Sequence, residues 1–347
     1  MPSIHFRAKR KWRSFIERAL ATEAPKKFEK SYDRKKRSHI ILLDGTVSTL
    51  KIGQETNIGL IYKLLGETTA STSIHYGPGL QWGNLKSNLR VITGEGLGNQ
   101  IREAYGVLSS RYQEGDDIFI FGYSRGAFAA RSLCGIIEKV GLLTAEEATT
   151  RNIALAWRLY QARKGYKNFR KLYCHKVVQI EMLGVFETVS ALGIKWPLLW
   201  KFLSKKHNFH DHQVCSNIKA AYHALALDET RLASTPECWT LNQIPKNTVV
   251  EQVWFRGTHG DVGGNIGDCT ASRKLSNIPL VWMLENAEKN GMKLPNNWAK
   301  KFPQDPNAPS VGTFRGLGKF LIFRADRRVA LSDHEWVHPS AIDPKIM

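Results

Sequence analysis

The sequence predicts an α/β fold with a mostly parallel central sheet flanked by helices. Two observations support this prediction. Short apolar runs alternate with segments in which apolar residues recur at helical spacing, the order that builds parallel sheets. One run, VVQIEMLGVF at residues 177–186, is almost continuously apolar, which is typical of a strand buried on both faces of such a sheet.

The individual elements follow from the same patterns. Predicted strands are 39–43, 118–121, 177–186 and 249–255, with a further one at 319–325. Predicted helices are 57–65, 99–112, 127 to about 141, 144–164 and 217–227. The glycine-rich stretch 68–98 is expected to be a loop, and the pattern fades after residue 290. We divide the chain into an arm at 1–38, an α/β domain at 39–290, and a segment at 291–347 that packs on this domain or extends it.

Composition excludes several classes of protein. Hydrophobic residues make up 42% of the chain and charged residues 23%, so global disorder is not expected. The five cysteines lack C-x-x-C spacing, which favours reduced thiols over a zinc site or a disulfide framework. We find no apolar signal region and no uncharged apolar stretch of about 18 residues. We therefore expect the protein to be made and folded in the cytoplasm.

The positive charge is concentrated at the N-terminus. Residues 1–38 contain thirteen Lys or Arg against four Asp or Glu, a net charge of +9 in a chain whose total is +19. Such an arm can bind an anionic membrane surface or nucleic acid, because each phosphate contact is electrostatic and independent of sequence. The alternative is a solvated leader without a partner.

The segment 118–126, IFIFGYSRG, contains the first candidate for chemistry. Its G-x-S-x-G turn joins an apolar strand to an amphipathic helix, which is the context in which such a serine is exposed at a helix N-terminus. There the helix dipole and the backbone N–H groups favour a developing anion. We therefore interpret Ser124 as a nucleophile rather than as a structural hydroxyl.

Two further strand ends carry polar residues. Glu187 follows the strand 177–186, and His259 lies in a glycine-rich loop after the strand 249–255. The order Ser, Glu, His along the chain is that of α/β-hydrolase triads, in which an acid orients a histidine base. The competing interpretations are an ordinary loop carboxylate and a structural histidine.

Other motifs predict little. The histidine-rich stretch HNFHDH at 207–212 lacks a helical H-x-x-x-H pair, so no metal site is expected. The run GEGLGN at 94–99 follows no clear strand, which argues against a dinucleotide loop. A phosphatase interpretation of Asp44-Gly45-Thr46 fails because Leu42 stands where the nucleophilic aspartate would be needed.

Six motifs in one order give the chain a family resemblance. They are LLDGT, REAYGVLSSRY, IFIFGYSRGAFAARSLCGIIEKVGLL, LGVFETVSALG, HALALDE and VWFRGTHGDVGGN. Over residues 38–290 the sequence resembles an α/β-hydrolase domain family that includes a group of type VI secretion phospholipase effectors. The resemblance implies an α/β-hydrolase-like serine hydrolase that acts on lipid esters and needs no cofactor.

Carried over by position, the resemblance implies Ser124 as nucleophile, Glu187 as acid and His259 as base. The family usually has aspartate where this chain has Glu187, so Asp261 is the alternative acid, although two residues from His259 it could instead shape the loop. Backbone N–H groups of Gly45 or Thr46, after the first strand, and of Arg125 could form an oxyanion hole.

The leading hypothesis is a serine esterase that acts on lipids, with phospholipids as the favoured class. The alternative is a basic module on an inactive hydrolase scaffold that binds a membrane or, less expected, nucleic acid. The stretch WPLLWKFLSKK at 196–206 suits either an interfacial segment or a helix packed in the core. Export without a signal peptide, by a contact-dependent secretion system, is compatible with this hypothesis.

Overall fold

Seven parallel strands form the central sheet of the part of the chain that the structure describes. The computed structural model describes residues 34–66, 71–79, 95–189, 213–240, 244–314, 323–329 and 333–342. The strands are β1 (Ser38–Leu43), β2 (Thr72–Gly77), β3 (Asp117–Tyr123), β4 (Ile180–Phe186), β5 (Ile218–Ala226), β6 (Val249–Phe255) and β7 (Glu335–Val337). Their order is β2-β1-β3-β4-β5-β6-β7, which confirms the predicted α/β class.

Helices connect the strands and cover both faces of the sheet. They are α1 (Asn57–Leu65), α2 (Glu95–Arg111), α3 (Arg125–Lys139), α4 (Thr150–Ala162), α5 (Tyr166–Tyr173), the one-turn α6 (His259–Gly263) and α7 (Arg273–Lys289). None of the helices in the described ranges is both long and apolar enough to cross a bilayer.

The alternation of side chains along β3 separates two apolar layers. Ile118 and Ile120 pack in a cluster with residues of α2 and α3. Phe119 and Phe121 point the other way and pack in a second cluster with residues of α1 and α7. Because all four side chains are buried, β3 is a central strand covered on both faces, as its apolar sequence predicts.

The predicted helix at 217–227 is wrong, because these residues form strand β5 between β4 and β6. Eight of its nine residues are buried, and only Lys219 is exposed. Alanines fit against both covered faces of the sheet, so position in the sheet overrides the helical propensity of alanine. A helix of this sequence would bury one face only.

The expected loop at 68–98 contains strand β2, and helix α2 already begins at Glu95. Strand β2 lies at the sheet edge and is only partly buried, which explains its weak apolar pattern. Helices α5 and α7 and strand β7 were not anticipated either. In the predicted strand 319–325, Arg324 forms one isolated bridge with Arg231. The stretches 1–33, 196–206 and 207–212 lie outside the described residues.

A close backbone contact at residues 122–126 determines how α3 leaves β3. A Cβ atom on Gly126 would lie 2.1 Å from the Leu43 carbonyl oxygen of β1, and one on Gly122 would lie 2.5 Å from the Gly126 carbonyl oxygen. Ser124, between them, has φ 56° and ψ −121°, outside the regions that L-residues prefer. The two glycines of the motif are therefore required by packing.

We predict that Gly126→Ala lowers the free energy of unfolding by at least about 3 kcal/mol, because the added methyl group meets rigid backbone on β1. Urea unfolding followed by circular dichroism measures the change. Gly66→Ala is the matched control, since Gly66 has φ −59° and a Cβ there would keep 3.4 Å from its neighbours. We expect the control to change stability by about 0.5 kcal/mol or less. Equal stability of the two variants would contradict the close contact.

Candidate active site

The three predicted residues lie at the carboxyl ends of the parallel strands β3, β4 and β6, with β5 between the last two. Ser124 follows β3, Glu187 follows β4, and His259 follows β6 after a short turn. Parallel strands bring their carboxyl ends to one edge of the sheet, which is where ligands bind in open α/β sheets. The sheet thereby brings His259 next to Glu187, 72 residues earlier, and next to Ser124, 135 residues earlier.

These three side chains form a continuous hydrogen-bonded chain. The Ser124 Oγ lies 3.0 Å from His259 Nε2, and His259 Nδ1 lies 3.0 Å from Glu187 Oε2. Glu187 is fully buried, whereas 14% of the His259 side chain is exposed. With Glu187 ionised, Nδ1–H donates to the carboxylate and Nε2 accepts from the serine hydroxyl. This arrangement can remove the hydroxyl proton of Ser124.

Backbone strain is concentrated in the same place. Six non-glycine residues among those described have positive φ, and Ser124 (56°) and Glu187 (45°) are two of them. Each such residue costs about 1–3 kcal/mol and persists only where the surroundings enforce it. The Ser124 N–H donates to the Phe186 carbonyl (3.0 Å), and the Glu187 N–H donates to the Ala224 carbonyl (2.9 Å). The ladder of the sheet therefore continues into both strained residues.

The Glu187 carboxylate is held from three directions. Oε1 accepts a hydrogen bond from the Ala226 N–H at 2.7 Å. Oε2 accepts from His259 and also from Nη2 of Arg327, which lies 3.3 Å away. These donors compensate the burial of a carboxylate and fix its orientation toward the imidazole.

The backbone around His259 is held by two acids that follow β5. Asp228 Oδ2 accepts from the Gly257 N–H (2.7 Å), and Glu229 Oε2 accepts from the His259 N–H (3.2 Å). Burial alone would raise the pKa of Glu229, but the hydrogen bonds and charge of Arg231 outweigh it and lower that pKa to about 2. Glu229 is thus a permanent anion that anchors the first residue of α6.

Aromatic packing holds the imidazole ring itself. The Tyr123 ring lies 5.0 Å from the His259 ring, and its hydroxyl donates to the His259 carbonyl at 3.2 Å. A Cβ on Gly263 would lie 1.8 Å from the Tyr123 ring, so this packing needs glycine there. His259 was expected in a loop, but it is the first residue of a one-turn helix.

Asp261, the alternative acid, has a different set of partners. Its buried carboxylate accepts from the N–H and the hydroxyl of Thr258 (both 2.8 Å), from the Ser310 hydroxyl (2.5 Å) and from the Val311 N–H (2.9 Å). These bonds close the α6 turn and attach residues 310–311 to it. His259 Nδ1, by contrast, is bonded to Glu187.

The turn after β1 lies beside the serine. A Cβ on Gly45 would lie 3.3 Å from the Ser124 Cβ, so the two residues lie close together. The Gly45 N–H donates to Asp44 Oδ1 at 2.7 Å, which leaves Thr46 as the other donor predicted on this turn. Arg125 begins α3, where first-turn N–H groups point out of the helix. Burial lowers the pKa of its guanidinium to about 10.

Asp44 is a buried carboxyl group that organises this turn. Its Oδ2 accepts hydrogen bonds from the hydroxyls of Thr56 and Tyr76, both at 2.7 Å. Burial raises the pKa of Asp44 to about 6, although these donors act in the opposite direction. The aspartate of the LLDGT motif therefore ties the turn to α1 and β2.

Four residues that shape the site had no predicted role, namely Asp228, Glu229, Arg231 and Arg327, although the motif HALALDE ends in the first two. The first three follow β5, where a strand end would have indicated them had the segment not been assigned to a helix. Arg327 had no sequence signal. In the described part of the chain, no group of three His, Cys, Asp or Glu side chains is placed to hold a metal ion. None of the five cysteines forms a disulfide.

Comparison with known proteins finds relatives that are longer than this chain. Over 241 residues it is 30% identical to the uncharacterized protein YEL023C of Saccharomyces cerevisiae, covering 60% of this chain and 33% of that protein. An uncharacterized protein from Pseudomonas aeruginosa has a similar crystal structure, with 18% identity and a TM-score of 0.49, covering 84% of this chain and 50% of that one.

A second solved structure is the Tle1 effector bound to the VgrG spike from the type VI secretion system. It has 17% identity and a TM-score of 0.37, covering 72% of this chain and 57% of that one. The chain thus spans between a third and just over half of the proteins that it matches. The family model of the type VI secretion phospholipase effectors, Tle1-like catalytic domain, matches residues 37–286, and the chain belongs to this family.

Proposed function

We propose that this chain is a serine hydrolase that cleaves carboxylic esters of lipids, with phospholipids as the substrate class. The observation that carries the proposal is the hydrogen-bonded chain from Ser124 Oγ through His259 to Glu187, with 3.0 Å at each step. Membership of the Tle1-like phospholipase family supports the choice of a lipid ester. Delivery by a contact-dependent secretion system rests on family membership alone, and a secretion assay in the native host tests it.

In the proposed reaction, side chains of this protein transfer the protons and form the acyl-enzyme, and water then hydrolyses it. Ser124 Oγ attacks the ester carbonyl carbon while His259 Nε2 takes the hydroxyl proton, and Glu187 stabilises the resulting imidazolium. The same proton then passes to the leaving alcohol as the C–O bond breaks. Water, deprotonated by His259, then attacks the acyl carbonyl carbon, and His259 returns the proton to Ser124 Oγ as the acyl C–O bond breaks and the fatty acid leaves.

The oxyanion of the tetrahedral intermediate needs preorganised donors. We assign the backbone N–H groups of Thr46 and Arg125 to this role, since the Gly45 N–H is already bonded to Asp44. Such a donor contributes roughly 3–4 kcal/mol to the transition state when it faces the oxyanion. The proximity of Gly45 to Ser124 supports the placement of both segments beside the reacting carbonyl.

Ser124→Ala is expected to abolish fatty-acid release from phospholipid vesicles, because the attacking atom is removed while the fold is retained. Free fatty acid measured by mass spectrometry gives the rate, and circular dichroism checks the fold. Ser110→Ala is the control, because the Ser110 hydroxyl lies on the exposed face of α2 and bonds only its own helix. Residual activity above about one per cent of the wild type would require another nucleophile.

Glu187→Gln is expected to lower kcat by up to about 10⁴-fold, since an amide no longer selects the tautomer with a proton on Nδ1. Hydrolysis of a p-nitrophenyl ester measures it. Glu181→Gln is the matched control on the same strand, where the carboxylate forms an exposed ion pair with Lys219 at the far end. A fully active Glu187→Gln together with an inactive but folded Asp261→Asn would transfer the role to Asp261.

We further propose that the basic arm binds anionic lipid surfaces. Residues 1–35 contain eleven Lys or Arg against four acids. The arm is taken to end at residue 35, because Lys36 pairs with Asp117 (2.6 Å) and the Arg37 N–H donates to Asp116 (3.0 Å).

Removal of residues 1–35 should leave hydrolysis of a soluble ester unchanged and weaken salt-sensitive co-sedimentation with phosphatidylglycerol vesicles. Unchanged vesicle binding, or loss of DNA binding alone, would contradict this proposal.

A further inference from the structure

We propose that Arg327, a residue beyond the family-matched region 37–286, is a positioning residue for the triad acid. The inference rests on the proposed function and deepens it by adding the C-terminal segment to the catalytic machinery. Within the described part of the chain, the side chain of Arg327 bonds Glu187, Glu229 and Ser234. It acts on the reaction through Glu187, 140 positions earlier in the chain.

The guanidinium of Arg327 joins three segments around the site. Nη2 donates to Glu187 Oε2 at 3.3 Å and to the Ser234 carbonyl at 2.7 Å, while Nε donates to the Glu229 carbonyl at 2.9 Å. Its side chain is only 7% exposed. The planar fork thus links the acid after β4 to the segment after β5 that also anchors His259, a set of bonds that a lysine ammonium cannot reproduce.

Arg327 is the last residue of a short strap, defined here as residues 323–327. The Leu232 N–H donates to the Phe323 carbonyl (3.1 Å), and the Ala325 N–H donates to the Thr230 carbonyl (2.8 Å). Arg324 Nη1 adds bonds to the hydroxyls of Thr230 (3.0 Å) and Thr313 (2.8 Å). The strap is therefore fastened to residues 230–232 before the chain reaches Arg327.

The role of the strap follows from the burial of the Glu187 carboxylate. Glu187 is fully buried, and a buried carboxylate needs a compensating cation or several donors. Among the described residues, Arg327 is the Lys or Arg side chain within ion-pair distance of Glu187, whereas Arg231 pairs with Glu229. Arg327 therefore places a positive charge against the buried carboxylate and holds it pointed at His259.

The test compares Arg327→Ala, Arg327→Lys and the control Arg328→Ala, whose exposed side chain follows directly after the strap. Each full-length protein is assayed for p-nitrophenyl ester hydrolysis and for the rate of labelling of Ser124 by a fluorophosphonate. We expect Arg327→Ala to lose about 10- to 100-fold in kcat and in labelling rate, as for a misplaced catalytic group. KM should stay within about twofold, because Arg327 acts on the chemical step through Glu187.

Chemical rescue separates positioning from mere structural support. Guanidinium chloride at a few tens of millimolar should restore part of the kcat of Arg327→Ala and leave Arg328→Ala unchanged. Arg327→Lys should lie between the wild type and Arg327→Ala, and it serves as the test variant if Arg327→Ala does not fold. A wild-type kcat in folded Arg327→Ala or Arg327→Lys overturns the inference. A loss of kcat that equals the fraction of unfolded protein, and that guanidinium does not rescue, also overturns it. A wild type that neither labels nor hydrolyses ester overturns the proposed function and this inference together.

Discussion

The close approach of β3, α3 and β1 at residues 122–126 is the constraint on which the rest of the site depends. Gly126 lies against the Leu43 carbonyl, and helix α3 begins at Arg125, directly after Ser124. Ser124 has positive φ in this tight turn. In the same turn, the Ser124 N–H donates a hydrogen bond to the carbonyl oxygen of Phe186, the residue before Glu187. Nucleophile and acid are therefore set relative to each other by backbone contacts rather than by side-chain packing alone.

Buried acids follow four of the strands and hold the loops that carry the chemistry. They are Asp44 after β1, Glu187 after β4, Glu229 after β5 and Asp261 after β6, all almost fully buried. Asp44 meets neutral donors and its pKa is raised to about 6, whereas Glu229 meets Arg231 and its pKa is lowered to about 2. Burial is common to both, so the presence of a guanidinium decides the direction of the shift.

The sequence predicted the parallel α/β sheet well because its central strands are short, apolar and followed by helices with clear periodicity. It also predicted which residues meet, since Ser124, Glu187 and His259 each follow a recognisable strand end. Strand β5 was missed because alanine-rich residues have helical propensity and only their position between β4 and β6 makes them a strand. Because of that error, Asp228 and Glu229, at the end of the motif HALALDE, had no predicted role.

The contributions of the C-terminal segment could not be read from the sequence. Arg327 and Ser310 approach the site through irregular chain, and no periodic pattern links them to residues 140 and 49 positions away. Their roles follow from burial and from the donors that Glu187 and Asp261 require once these carboxylates leave water. Such requirements become visible only when the strand ends are assembled in three dimensions.

The central claim is that Ser124 is an activated nucleophile, and mapping the site of covalent modification tests it most directly. The full-length protein is treated with a fluorophosphonate, digested and analysed by mass spectrometry, with His259→Ala treated in parallel. We predict one phosphonyl group on the peptide containing Ser124 and almost none in His259→Ala at equal times. A wild type that is modified at another residue, or not modified at all, would contradict the account.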